Sequence, residues 1–167
     1  GIANNPEDAD IIIVNTCAFI DDAKEESIDT ILEMAEYKKK KCRLLIMTGC
    51  LAERYNNEIL EELPEVDAVC GTGDYHKIAE IIEKTKNDGK CVIYGHIDDE
   101  IPEGLPRILS TGNKSAYLKI SDGCDNKCTY CVIPQLRGKY RSRPLEDVLS
   151  EAESLAQSGV KELILIA

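Results

Sequence analysis

Short apolar runs alternate with segments of helical length along the first 94 residues, and this alternation restricts the fold more than any other feature of the sequence. The run at 10–16 is short and β-branched, which is typical of a strand buried on both faces. Strands that alternate with helices predict an α/β domain with an open parallel sheet and helices on both faces. The predicted strands are 10–16, 43–48, 66–69 and 91–94, and the predicted helices are 21–39, 51–62 and 74–86.

Two of these predicted helices have apolar residues at helical spacing, so each should bury one face against the sheet. In the segment 21–39, acidic residues occupy the first turn, which favours a helix start there. The predicted buried faces consist of Ile28, Ile31, Leu32 and Ala35 in the first of these helices, and of Ile78, Ile81 and Ile82 in the last.

The alternation stops over 95–115, where glycines and prolines occur without sustained periodicity. We therefore predict an N-terminal domain over 1–95, a linker over 96–115 and a second domain over 116–167. The second domain should contain one βαβ unit, with strands at 116–120 and 162–166 and a helix near 144–158. Pro144 suits the first helical position and Gly159 suits the stop. Two strands cannot bury both faces, so we expect this domain to be truncated.

Length, composition and charge exclude several classes of protein. With 167 residues, 43% of them hydrophobic, the chain can bury a core. Its net charge of −11 argues against a protein that coats nucleic acid by charge alone. No apolar run approaches the length of a membrane span, and no signal peptide is visible, so a cytoplasmic protein is expected. The chain begins without Met and ends in an apolar run, which suggests a fragment.

Eight cysteines leave three interpretations: a disulfide framework, inert buried thiols, or a metal or iron–sulfur site. Cys124, Cys128 and Cys131 form a C-x3-C-x2-C cluster directly after a predicted strand. A closed zinc site needs four ligands, and electron-transfer iron–sulfur clusters also use four thiolates. Three thiolates on a four-iron cluster would leave one iron open, as reactive metal centres require.

This cluster, with an aromatic residue before its last cysteine, resembles the radical S-adenosylmethionine (SAM) enzymes. The resemblance implies a (β/α) partial barrel, of which this chain would hold the start. It also implies that Cys124, Cys128 and Cys131 bind a SAM-cleaving 4Fe-4S cluster and that Tyr130 lies in the SAM pocket. In that family the open iron chelates SAM, and reduction yields a 5′-deoxyadenosyl radical.

Longer motifs resemble the methylthiotransferase branch of that family: VNTC at 14–17, TGCLAER at 48–54, KISDGCDN at 119–126 and CVIP at 131–134. The resemblance implies a second, auxiliary 4Fe-4S cluster on three cysteines of the N-terminal domain. Cys17 and Cys50 match two of these ligands, and the third would lie upstream of residue 1. Cys42, Cys70 and Cys91 are predicted not to be ligands.

The positions of Cys17 and Cys50 agree with this role on physical grounds. Each ends a predicted strand, and sites in open α/β sheets form at the carboxyl ends of strands. The alternative, a pair of inert buried thiols, stays open because cysteine is often buried.

The segment 126–145 contains five basic residues and no acidic residue. Arginine suits carboxylate geometry, so Arg141 and Arg143 are candidates to bind SAM or substrate. The alternative is a solvated basic loop.

The motifs CAFID at 17–21, EESID at 25–29 and GCDN at 123–126 resemble the RimO type of methylthiotransferase. This type adds a methylthio group to the β-carbon of an aspartate in small-subunit ribosomal protein S-twelve, and its partners would be that protein, an electron donor and a sulfur source. The close relative, the MiaB type, modifies isopentenyl-adenosine in tRNA and is the first alternative. Negative charge favours a basic protein over tRNA as substrate. A non-catalytic iron–sulfur or zinc module is the second alternative.

Overall fold

The computed structural model describes residues 1–55, 58–99, 104, 107–109 and 114–167. Within these residues the chain forms two compact units, Gly1–Ile97 and Asp98–Ala167. Residues 56 and 57 of the helix predicted over 51–62, and part of the linker predicted over 96–115, lie outside the described residues.

The first unit is built on a four-stranded parallel sheet with strand order β1-β2-β3-β4. All four predicted strands are present with shifts of one or two residues, and the predicted α/β fold is confirmed. The strands are β1 (Ile11–Thr16), β2 (Leu44–Gly49), β3 (Ala68–Cys70) and β4 (Cys91–Ile93).

Helices connect these strands. They are α1 (Asp21–Ala35), α2 (Cys50–Tyr55), α3 (Ile59–Glu62) and α4 (Ile78–Asp88). Short 3₁₀ turns at Pro6–Asp8, Glu36–Lys39 and Tyr75–Lys77 precede β1, extend α1 and precede α4. None of the described helices is both long and apolar enough to cross a membrane.

Burial differs from the prediction at the β1 side of the sheet. β2 lies between two strands and is almost completely buried, whereas β1 alternates between buried and exposed residues. Ile13 is 46% exposed, so β1 is not buried on both faces. Of the apolar face predicted for α1, Ile31 is buried but Ile28 and Leu32 remain 37% and 43% exposed. The prediction for α4 is confirmed, because its three isoleucines pack in the core.

A partly buried ion pair links the Glu36–Lys39 turn to the segment before β3. The Lys38 Nζ lies 2.8 Å from both carboxylate oxygens of Asp67 and also donates to the Glu65 carbonyl. The Leu45 backbone N–H donates to the same Asp67 carboxylate at 2.8 Å. Asp67 therefore joins β2, β3 and the end of α1.

Replacing Asp67 by Ala should lower the free energy of unfolding by about 2 kcal/mol, because it leaves the Leu45 N–H and the Lys38 amino group without their carboxylate. Urea denaturation measures this. Glu36→Ala is the control, since it removes the exposed pair between Lys39 and Glu36 and should leave the midpoint unchanged. Equal shifts in the two variants would contradict the prediction.

The second unit contains the predicted βαβ arrangement. Strand β5 (Ser115–Lys119) pairs in parallel with β8 (Glu162–Ile166), and α6 (Leu145–Gln157) lies between them in the chain. Pro144 caps α6 and does not occupy its first helical position, while Gly159 follows the helix end at a φ of +99°. The sequence missed three short elements: β6 (Ser121–Asp122), α5 (Ile133–Arg137) and β7 (Arg141–Ser142), which pairs antiparallel with β6.

Candidate functional site

The three-cysteine loop lies between β6 and α5 and has no helix or strand. Cys128 is exposed, and Cys124 and Cys131 are partly exposed; all three are free thiols. The Cys131 N–H donates to the Cys128 carbonyl, which closes a turn, and the Asn126 amide lies 3.6 Å from the Cys124 Sγ.

The start of this loop is held against the segment 138–140. The Cys124 N–H donates to the Gly138 carbonyl at 3.1 Å, and the Tyr140 N–H donates to the Asp125 carboxylate at 3.1 Å. Gly123 has a φ of +78°, and a Cβ there would overlap the Lys139 carbonyl. A glycine is therefore required where the two segments cross.

The donor set of this loop fits a group bound by three thiolates. Thiols that serve as metal ligands must be accessible and able to lose a proton, and the three loop cysteines are accessible and outside any disulfide. Among the described residues, no three Cys, His, Asp or Glu side chains already converge closely enough to hold a metal ion. Binding would thus require the irregular part of the loop, after the anchored Cys124, to close around the group.

The other residues predicted around this loop have different surroundings. Tyr130 is 89% exposed. Arg141 donates to the Arg137 and Lys139 carbonyls and lies 3.6 Å from the Asp98 carboxylate. Its guanidinium therefore lies beside the segment that anchors the loop.

Arg143 joins β5 to α6. Its guanidinium donates to the Lys119 carbonyl, to Asp147 and to Glu151 at 2.6–2.8 Å, and its side chain is only 10% exposed. These bonds stabilise the unit that carries the loop.

In the first unit, Cys17 and Cys50 lie at the carboxyl edge of the sheet. They directly follow Thr16 and Gly49, which are partners in the β1–β2 register. Neighbouring strands are about 4.8 Å apart, so the two cysteines leave the sheet side by side. Cys17 is exposed and Cys50 is partly exposed, which distinguishes both from core thiols.

Cys42, Cys70 and Cys91 are buried. Burial raises the pKa of the Cys70 thiol to about 11 and also raises the pKa of Cys42. A thiol with such a pKa holds little thiolate near neutral pH, so it is a poor ligand and a poor nucleophile.

Alkylation of the native, iron-free protein at about pH 8 should therefore modify the exposed Cys17 and Cys128 well before Cys70, which is buried and whose raised pKa leaves little reactive thiolate. Modification of Cys70 should accelerate as pH rises toward its pKa of about 11. Peptide mass spectrometry of timed samples measures the order. Labelling of Cys70 at the rate of Cys17 would contradict it.

Two family models match the chain. Residues 1–71 match the uncharacterized protein family UPF0004, and residues 118–167 match the radical SAM superfamily. The second match spans the three-cysteine loop, and the first spans Cys17 and Cys50. The chain therefore combines a segment similar to UPF0004 with a later segment similar to the radical SAM superfamily.

Several curated relatives also match the chain. Proteins named "Ribosomal protein uS12 methylthiotransferase RimO" from Thermoanaerobacter sp. (strain X514), Clostridium tetani and Acetivibrio thermocellus are 59%, 51% and 56% identical to it. Each alignment covers 99% of this chain but only 37–38% of the relative, so the chain spans under two fifths of their length. Over almost its whole length the chain is therefore similar to proteins named as RimO methylthiotransferases.

The residues whose hydrogen bonds fix the backbone near the candidate cysteine ligands were not predicted from the sequence. Asp125 and Gly138 anchor the three-cysteine loop, and Thr16 and Ser27 bond to the backbone beside Cys17 and Cys50. The sequence offers only weak indications of them: a glycine immediately before Cys124, and a threonine at or near the end of each of the first two strands.

Proposed function

We propose that the full-length protein is a radical SAM methylthiotransferase that adds a methylthio group to the β-carbon of an aspartate in ribosomal protein uS12. The observation that carries this proposal is the loop of three accessible, free thiols inside the segment that matches the radical SAM superfamily. The names of the relatives support the substrate.

In this proposal, Cys124, Cys128 and Cys131 bind a 4Fe-4S cluster that, when bound, supplies the electron for SAM cleavage. The chain contributes the fixed start of the loop: hydrogen bonds to the Cys124 N–H and the Asp125 carboxylate hold it against the segment 138–140. Tyr130 is exposed and free to cover the adenine of SAM. Arg141 is the proposed partner for a carboxylate of SAM or substrate because its guanidinium lies beside the segment that anchors the loop, while Arg143 supports the fold through its ion pairs.

Cys17 and Cys50 are two ligands of an auxiliary 4Fe-4S cluster in the proposal, with a third ligand outside this sequence. Their adjacent positions at the carboxyl edge support this role. The cofactors would then be two 4Fe-4S clusters and SAM, and the reaction would draw on an external electron donor and a sulfur source. We assign residues 1–95 to the auxiliary domain, 96–115 to a linker and 116–167 to the radical SAM domain, in a cytoplasmic protein.

Mass spectrometry of a strain that lacks the gene tests the substrate. Ribosomal protein uS12 from that strain should lack the methylthio group on its aspartate, and the full-length gene should restore it, while methylthio-adenosine in tRNA stays unchanged. Loss of the modification from tRNA alone would replace this substrate by tRNA, the alternative within the family.

A further inference from the structure

We infer that Thr16 is a positioning residue for both cysteines at the carboxyl edge: its buried hydroxyl holds the two backbone segments that carry Cys17 and Cys50. This inference rests on the auxiliary cluster proposed above.

The Thr16 hydroxyl forms hydrogen bonds with one residue near the end of β2 and with one residue at the start of α2. It is 5% exposed, donates to the Thr48 carbonyl at 2.7 Å and accepts from the Leu51 N–H at 3.3 Å. Leu51 lies in the first turn of α2, where backbone N–H groups have no partner within the helix. Thr16 precedes Cys17 and Leu51 follows Cys50, so one oxygen atom links the neighbours of both thiols.

Two further contacts fix the backbone around Cys17. The Cys17 N–H donates to the Ser27 hydroxyl of α1 at 3.0 Å, and that oxygen lies 2.7 Å from the Ala23 carbonyl. The Arg54 guanidinium of α2 donates to the Ala18 carbonyl at 3.0 Å. Cys17 is thus bound to α1 through Ser27, and the next residue, Ala18, is bound to α2 through Arg54, although the Cys17 side chain is exposed.

Gly49 allows the ends of β1 and β2 to approach closely. Its φ is +96°, and a Cβ there would overlap the Thr16 carbonyl and lie 2.6 Å from the Asn15 Oδ1. The absence of a side chain at Gly49 brings Cys50 beside Thr16, which explains how the Thr16 hydroxyl reaches the Leu51 N–H.

These contacts fix the backbone segments that carry the two thiols. Residues that orient metal ligands typically change metal affinity by about 10- to 100-fold when replaced. Loss of the Thr16 hydroxyl should free the start of α2 from the end of β1. The auxiliary cluster should then be held less firmly, while the fold persists, because the apolar core packs without this hydroxyl.

The test uses the full-length protein with Cys124, Cys128 and Cys131 replaced by Ala, so that the remaining iron reports the auxiliary cluster alone. Thr16→Val removes the hydroxyl and keeps the branched shape, and Thr16→Ser keeps the hydroxyl. Thr85→Val is the matched control, because Thr85 is also buried and donates to the Ile81 carbonyl at 2.6 Å in α4. Iron loss to a chelator and the electron paramagnetic resonance spectrum of the reduced protein are measured.

We expect Thr16→Val to lose iron about tenfold faster than its parent and to change the spectrum, while Thr16→Ser and Thr85→Val behave as the parent. Ser27→Ala should act in the same direction as Thr16→Val and serves if the latter folds poorly. Equal iron loss from Thr16→Val and Thr85→Val, in folded protein, would overturn the inference while the auxiliary cluster stands. A parent that binds no iron would instead overturn the auxiliary cluster itself.

Discussion

Replacing Cys124, Cys128 and Cys131 together by Ala should halve the iron of the reconstituted full-length protein, from about eight to about four atoms per chain. The reason is that these three thiols lie on one loop and are free and at least partly exposed, so their replacement removes every cysteine ligand proposed for the cluster at that loop. Cys17 and Cys50 belong to the other unit and should keep their own cluster. Iron and protein assays after anaerobic reconstitution measure the change.

The control for this experiment replaces two cysteines that are not expected to bind iron. Cys42 and Cys91 are buried at or near the starts of β2 and β4, opposite the carboxyl edge, so the double Ala variant should retain all of its iron. Full iron content in the triple variant would contradict the assignment of the loop.

Gly123→Ala should have the second large effect. The new Cβ would overlap the Lys139 carbonyl, and the φ of +78° is strained for any residue with a side chain. We expect a loss of about 3 kcal/mol in the free energy of unfolding and loss of the iron that depends on the three-cysteine loop. The loop and the segment 138–140 cannot keep their crossing without that space.

Gly159→Ala is the matched control, because it introduces the backbone strain of a positive φ without the steric overlap expected at Gly123. Gly159 also has a positive φ, of +99°, but nothing lies within 4 Å of the position of its Cβ. It should cost about 1 kcal/mol and leave the iron content unchanged. Comparison of urea denaturation and iron content in the two variants measures the difference. Similar behaviour of the two variants would show that the crossing at Gly123 is not required.

The regular elements of both units could be predicted because their information is local. The run at 10–16 is short and β-branched, the isoleucines of α4 recur at helical spacing, and the structure forms a strand and a helix at these positions. Exposure was harder to predict, because it depends on what covers an element. Ile13 and Leu32 fit buried patterns but remain exposed, since the sequence of an element does not reveal how fully its neighbours cover it.

The candidate ligands could also be predicted, whereas their supports could not. The spacing of Cys124, Cys128 and Cys131 is visible within eight residues. The bond from the Tyr140 N–H to Asp125 joins residues 15 positions apart, and β6 and β7 are two residues each, too short for any periodicity. Contacts of this kind arise from the path of the chain and not from a local pattern.

Formation of 5′-deoxyadenosine from SAM by the reduced full-length protein tests the proposed role of the three-cysteine loop most directly. We expect that the unaltered protein forms it, and that the triple Ala variant of Cys124, Cys128 and Cys131 forms none. A double Ala variant of Cys17 and Cys50 should still form it, because the proposed cleavage depends on the other cluster. Formation by the triple variant at the rate of the unaltered protein, or no formation by the unaltered protein, would contradict the account; the second result would favour a non-catalytic metal-binding module.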